Sequence, residues 1–163
     1  MSELLEKARS YEEKKIAATD KESKPLFHIS APAGWINDPN GFSVYNGKIH
    51  LFYQYYPYLR EWGPMHWGHS TTSDMIKWEQ LPCVLAPDEE YDKKGCFSGS
   101  AIEADGKHVL VYTGVTRIKL PDGSEQERQN QCIAFGDGLN YVKHENNPCL
   151  LYTSPSPRDR QKS

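Results

Sequence analysis

His28-Ile29-Ser30-Ala31-Pro32-Ala33-Gly34-Trp35-Ile36-Asn37-Asp38-Pro39-Asn40-Gly41 is the stretch around which the rest of the chain is organised. Within it, Asp38-Pro39-Asn40-Gly41 has the residue order of a type I turn. Asp accepts local hydrogen bonds, Pro presets φ, Asn tolerates the bridge region and Gly closes the reversal. The expectation is a carboxylate displayed at a chain reversal between strands, where loops on a rigid scaffold carry chemistry. Alone, such a tetrapeptide is an ordinary turn. Its neighbours add to it: Trp35, Asn37 and Asp38 put an aromatic, an amide and a carboxylate within four residues. An indole packs against the C–H faces of a sugar ring, and an amide holds hydroxyls or orients a carboxylate.

Downstream of Phe42, short strand-like runs are separated by turn signals, which is an all-β pattern. Residues 42–45 and 48–54 flank Asn46-Gly47, the strongest short hairpin signal in the chain. Further strands are expected at 67–72, around 78–81, and at 98–103 and 107–113 through Ala104-Asp105-Gly106. A polar loop over 119–128 then precedes strands at 131–135 and 141–144. Repeated antiparallel units of this kind suit a β-propeller. Upstream, Leu4, Leu5, Ala8 and Tyr11 recur at helical spacing among Glu and Lys, which predicts an amphipathic helix over 3–19 with Ser2 as its cap. Residues 21–24 read as a polar linker, and Pro25 and Pro32 keep the approach to Trp35 extended. The organisation expected is a helix and linker over 1–24, a partial propeller over 25–150 and an atypical tail over 151–163. That tail is polar, Pro- and Ser-rich and unlike a strand. It reads as a foreign junction, the mark of a truncated or misassembled reading frame.

The 163 residues suffice for one domain with a core. A net charge of −3, from 19 basic and 22 acidic residues, gives no electrostatic case for a nucleic-acid partner. No apolar run reaches bilayer length, so no membrane partner is expected. The amino terminus lacks the basic flank, apolar stretch and cleavage site of a secretory signal, which points to a cytoplasmic protein. Cys83, Cys96, Cys132 and Cys149 contain no close pair of the zinc or redox kind and are expected as reduced thiols in or near strands. His66 and His69 flank Trp67 on opposite faces of an expected strand, so no metal site is expected there. Asp88, Glu89, Glu90 and Asp92 follow Pro87 and read as a solvated acidic loop. Most aromatic rings are expected to fill the space between blades; Trp62 stands apart in a loop that carries Gly, Pro and charge.

Trp35-Ile36-Asn37-Asp38-Pro39-Asn40-Gly41 resembles the first signature of glycoside hydrolase family 32, the invertases, sucrose-6-phosphate hydrolases and fructanases. Phe52-Tyr53-Gln54-Tyr55-Tyr56-Pro57, Trp62-Gly63-Pro64-Met65-His66-Trp67-Gly68-His69 and Cys96-Phe97-Ser98-Gly99-Ser100-Ala101 resemble the next blocks, in the family's order. The resemblance implies a propeller of five four-stranded blades, of which this chain supplies about the first one to two. It implies hydrolysis of terminal β-D-fructofuranoside bonds in sucrose or sucrose 6-phosphate, with retention and a covalent fructosyl intermediate on Asp38. Trp35, Asn37, Gln54, Trp62, Phe97 and Ser98 would bind this small sugar substrate, with no cofactor and no metal. The family's transition-state stabiliser, in an Arg-Asp-Pro triplet, and its acid/base, a Glu beside a Cys, have no counterpart here. Arg158-Asp159 is followed by Arg160, so the stabiliser's role is not carried onto Asp159. The chain as given is therefore expected to be inactive. A non-catalytic carbohydrate-binding fragment, fructan hydrolysis and fructosyl transfer stand as alternatives.

Overall fold

The computed structural model describes residues 1–20, 24–25 and 27–149. The expectations for residues 21–23 of the linker and for the 151–163 tail fall outside the described residues. The elements are a helix α1 (Glu3–Ala18) and eight strands: β1 (Trp35–Tyr45), β2 (Lys48–Tyr56), β3 (His66–Thr72), β4 (Glu79–Leu85), β5 (Gly95–Ala104), β6 (Lys107–Lys119), β7 (Glu125–Gly136) and β8 (Tyr141–Lys143). They form two four-stranded antiparallel sheets in the orders β1-β2-β3-β4 and β5-β6-β7-β8, two blades of the all-β architecture the sequence pattern points to. Each blade opens on a two-residue hairpin turn. Asn46 and Gly47 have φ of 48° and 71°, and Asp105 and Gly106 have 51° and 71°. Positive φ at both central residues matches the turn to the right-handed twist of the strands.

β5 begins at Gly95, three residues before its expected start, and three other boundaries differ from the sequence reading. Asp38-Pro39-Asn40-Gly41 is not a chain reversal but part of β1, which runs through it and breaks register between Ile36 and Pro39 and again between Asn40 and Ser43. β1 is an edge strand of its sheet, so the missing N–H of Pro39 is tolerated, and the bulges absorb a turn-like local sequence without reversing the chain. β4 lies later than expected, through Pro82 to Leu85. The polar loop contracts to residues 120–124, because the β6–β7 ladder continues out to Lys119↔Glu125. Side chains there are polar on both faces, which hides a strand whose ladder is made by backbone groups.

One core cluster runs through both blades, with Phe52, Trp67, Val84 and Leu85 meeting Leu110, Tyr112, Cys132 and Tyr141. A second gathers Leu5 and Ala8 of α1 against Tyr53, Tyr55 and Cys83. Ser2 caps α1, its hydroxyl accepting from Leu5 N at 3.2 Å. The buried stripe of the helix is Leu5, Ala8 and Glu12, whereas Leu4 is 42% exposed. Glu12 is there because β4 is an edge strand whose backbone needs partners. Arg9 Nε donates to Cys83 O at 2.8 Å, and Cys83 N donates to Glu12 Oε2 at 3.0 Å. Burial pushes the Glu12 carboxyl up to about 7.

The acidic loop is only partly solvated. Asp92 is fully buried, and Lys143 donates to both Asp88 and Asp92, the latter at 2.5 Å. Asp92 Oδ2 also accepts from the Tyr112 hydroxyl at 2.9 Å, which ties the inter-blade connection to β6 and β8. Cys83, Cys96 and Cys132 are buried free thiols and Cys149 is an exposed one. His66 Nδ1 donates to Pro64 O at 2.9 Å, while His69 turns into the seam between blades and meets His50 at 2.9 Å. His108 joins them, its ring 4.9 Å from that of His50 and bonded to Ser43 and Tyr141. Burial holds all three imidazoles of this cluster below their usual range, His108 at about 4, so they pack as neutral rings.

Candidate active site

The site residues are aimed by two bulges. In β1, Asn37 and Asp38 stand between the pairs Ile36↔Tyr55 and Pro39↔Tyr53, so that both oppose the single residue Gln54 of β2. In β5, Ser98 is the extra residue between Phe97↔Thr113 and Gly99↔Tyr112. A bulge leaves its extra residue out of the ladder and re-aims the side chain. Here both bulges turn toward the gap between the blades. Gly99 is required at the second: a Cβ on it would lie 2.0 Å from Val111 O.

The result is a closed ring of four hydrogen bonds. Asn37 Nδ2 donates to Asp38 Oδ1 at 3.2 Å and to Gln54 Oε1 at 3.0 Å. Gln54 Nε2 donates to Ser98 Oγ at 2.8 Å, and Ser98 Oγ donates to Asp38 Oδ2 at 2.7 Å. Both N–H groups of Asn37 and the hydroxyl of Ser98 donate within the ring, and both carboxylate oxygens accept. Asp38, Asn37 and Ser98 are exposed, whereas Gln54 is buried. A fixed carboxylate thus faces open space with its orientation set from both blades. Such a group can attack an electrophilic carbon without first reorganising its neighbours.

Trp62 and Phe97 form an edge-to-face pair, ring centroids 6.1 Å apart, with Trp62 56% exposed. Trp35 is half-buried, and its indole N–H has no hydrogen-bond partner among the described residues. The structure therefore brings Asn37, Asp38, Gln54 and Ser98 into direct contact and pairs Trp62 with Phe97, while Trp35 stays outside the ring. The inter-blade partners of two residues escaped the sequence reading. Asn40, buried in β1, accepts from Gly99 N at 3.3 Å and so pins the β5 bulge from the opposite blade. Trp67, fully buried, donates its indole N–H to Phe97 O at 3.1 Å. Both lie inside the quoted sequence blocks, which was the available signal, but a polar residue in an apparent turn and an aromatic in a strand gave no hint of a partner in the other blade.

The family model described as Glycosyl hydrolases family 32 N-terminal domain matches residues 28–162, most of the chain and all of this site. The chain belongs to glycoside hydrolase family 32. Its relatives in that family include a sucrose-6-phosphate hydrolase of Escherichia coli, 48% identical over 120 residues that make up 73% of this chain and 25% of that enzyme. Among solved structures, a GH32 β-fructofuranosidase of Bombyx mori, 45% identical, superposes with a TM-score of 0.79 over 90% of this chain and 30% of its own, and a mutant of it has been solved in complex with sucrose. The sucrose-6-phosphate hydrolase of Lactobacillus gasseri superposes with a TM-score of 0.74 at 34% identity, over 90% of this chain and 29% of its own. This family 32 chain thus spans between a quarter and a third of the length of those relatives.

Proposed function

We propose that this chain carries the nucleophile-bearing part of a cytoplasmic β-fructofuranosidase acting on sucrose or sucrose 6-phosphate, with Asp38 as the nucleophile. The observation that supports it is the hydrogen-bonded ring, which presents an exposed carboxylate held by donors from two blades. In a retaining hydrolysis one Asp38 oxygen bonds to the anomeric carbon of the fructosyl unit as the glycosidic C–O bond breaks. The leaving oxygen takes a proton from a second carboxyl group about 5 to 5.5 Å away, and water then cleaves the fructosyl ester. Ser98 and Asn37 hold Asp38 in line, Gln54 holds both of them, and Trp62 with Phe97 offers an apolar wall to the sugar. Among the described residues no other carboxylate joins the ring. The acid/base and the stabiliser belong to the portion of family 32 enzymes that this chain does not span, and the 163 residues alone turn over no fructoside.

Trapping the intermediate tests the assignment. An enzyme extended with the remaining propeller of a family 32 relative is incubated with a slow fluorinated fructosyl donor, digested and weighed. The expected label sits on the peptide containing Asp38, and a label elsewhere removes Asp38 as nucleophile.

A further inference from the structure

Trp67 is a fully buried indole outside the ring of Asn37, Asp38, Gln54 and Ser98, yet it is tied to that ring from two sides. Its N–H donates to Phe97 O at 3.1 Å, and that oxygen belongs to the peptide unit between Phe97 and Ser98. The next unit, between Ser98 and Gly99, is held through Gly99 N, which donates to Asn40 Oδ1 at 3.3 Å. Just upstream, Cys96 N donates to Met65 O at 2.8 Å. Both peptide planes that flank the Ser98 Cα are thus gripped by side chains of the first blade. A residue has only two soft backbone dihedrals, and fixing the planes on either side fixes both. Ser98 needs that grip, because it is the extra residue of the β5 bulge and stands outside the ladder with β6. The aim of its hydroxyl at Asp38 Oδ2, 2.7 Å away, follows the angle of this backbone. On the other side, Trp67 pairs with Gln54 across β2 and β3, which puts the two side chains on one face of the sheet. Gln54 Nε2 donates to the same Ser98 hydroxyl at 2.8 Å.

A buried indole ordinarily finds an acceptor, and Phe52 and Tyr112 meet the Trp67 ring as core neighbours would. Burial accounts for the ring but not for the choice of acceptor, a carbonyl of the opposite blade next to the β5 residue that donates to the carboxylate. We propose that Trp67 is a positioning residue for the candidate nucleophile: its N–H sets the Phe97–Ser98 peptide plane and, through it, the Ser98–Asp38 hydrogen bond. Being fully buried, it acts without touching the sugar. The inference rests on the reading of Asp38 as nucleophile and deepens it. A Ser98 turned away leaves Asp38 Oδ2 without its donor, and a carboxylate free to swing spends less time in line with the carbon it attacks. That loss falls on kcat more than on KM.

The test uses the extended enzyme and replaces the Trp67 indole by benzothiophene, through site-directed incorporation of β-(3-benzothienyl)alanine, which keeps the shape of the ring and removes the N–H. Trp67→Phe is the simpler companion variant. Turnover is measured well below each variant's thermal midpoint. The isostere is expected to lower kcat about tenfold with KM within about threefold of the parent's. Ser98→Ala is expected to lower kcat at least as much. Added to Ser98→Ala, the isostere should cost less than about twofold more, because the group it positions is already gone. A purely structural indole gives a different pattern. Parental kcat in the isostere, or losses that multiply in the combination, overturns the proposal. Should Trp67→Phe lose the fold, the isostere decides alone. Asp38→Asn separates this inference from the reading beneath it. Retained turnover in Asp38→Asn removes the nucleophile and the positioning role together, whereas lost turnover there beside a parental isostere removes the positioning role alone.

Discussion

Asp38 and Glu12 are carboxylates with opposite fates. Asp38 stands exposed between the blades, and each of its oxygens accepts from a side chain that is itself held. Glu12, only 3% exposed under α1, has one oxygen on Cys83 N and, among the described residues, no hydrogen-bond partner for the other. The first carboxylate is organised without being shut away from water, so a substrate can reach it. The second is shut away, and burial pushes its carboxyl up to about 7. The difference separates a group that orders the fold from the group proposed for chemistry, although both are acids in hydrogen-bonded settings.

The contrast can be broken most sharply by function. In the extended enzyme, Asp38→Asn is expected to lower kcat/KM at least about a thousandfold. Its thermal midpoint should stay close to the parent's, because an exposed substitution of this kind shifts stability by about 0.5 kcal/mol or less. Glu12→Gln should leave turnover within about twofold. A fall in turnover as large as that of Asp38→Asn would erase the distinction.

The next effect is on pH. The folded pKa of Glu12 lies above its reference value of 4.5, so the folded chain binds more protons than the unfolded chain between those two values. Stability from this group is complete below pH 4.5, declines as pH rises and is gone above about 7. The total is up to about 3 kcal/mol. Thermal melts from pH 4.5 to 7.5 should show that decline in the parent and a flatter profile in Glu12→Gln. Parallel profiles would mean that the helix clamp is not titrating.

Removing Asn40 acts at the seam. Asn40→Ala leaves Gly99 N without its acceptor and is expected to cost about 1–3 kcal/mol by chemical denaturation. It should also lower kcat of the extended enzyme more than it raises KM, since Ser98 would lose its fixed aim at Asp38. Asn40→Asp keeps the accepting oxygen and should restore much of the kcat. The smallest effect lies at the outer hairpin, where the exposed pair Lys48–Glu79 at 2.9 Å contributes about 0.5 kcal/mol or less. A larger loss in Lys48→Ala would show that surface charge matters more to this blade than the buried clamp.

Much of the architecture was legible because it depends on neighbours in sequence. Asn46-Gly47 and Asp105-Gly106 can take positive φ at low cost, so both hairpins followed from their residues. Ser2 and the spacing of Leu5 and Ala8 marked the helix. The candidate site drew on the ordered blocks, and the ring unites four of the residues they named. What stayed hidden was long-range. The turn-like tetrapeptide became a bulged strand, Asp88 and Asp92 became partners of Lys143, and Glu12 proved to occupy the buried stripe, seven residues after Leu5.

By itself the sequence determined which short segments could pair, where the chain could turn tightly and which amide, hydroxyl and carboxylate were available, because backbone propensity and side-chain chemistry are local. Only the tertiary structure decided that Ser98 meets Asp38 and that Asn40 meets Gly99, since each contact crosses from one blade to the other. Such a contact depends on how two twisted sheets pack, and no spacing along the chain encodes that distance.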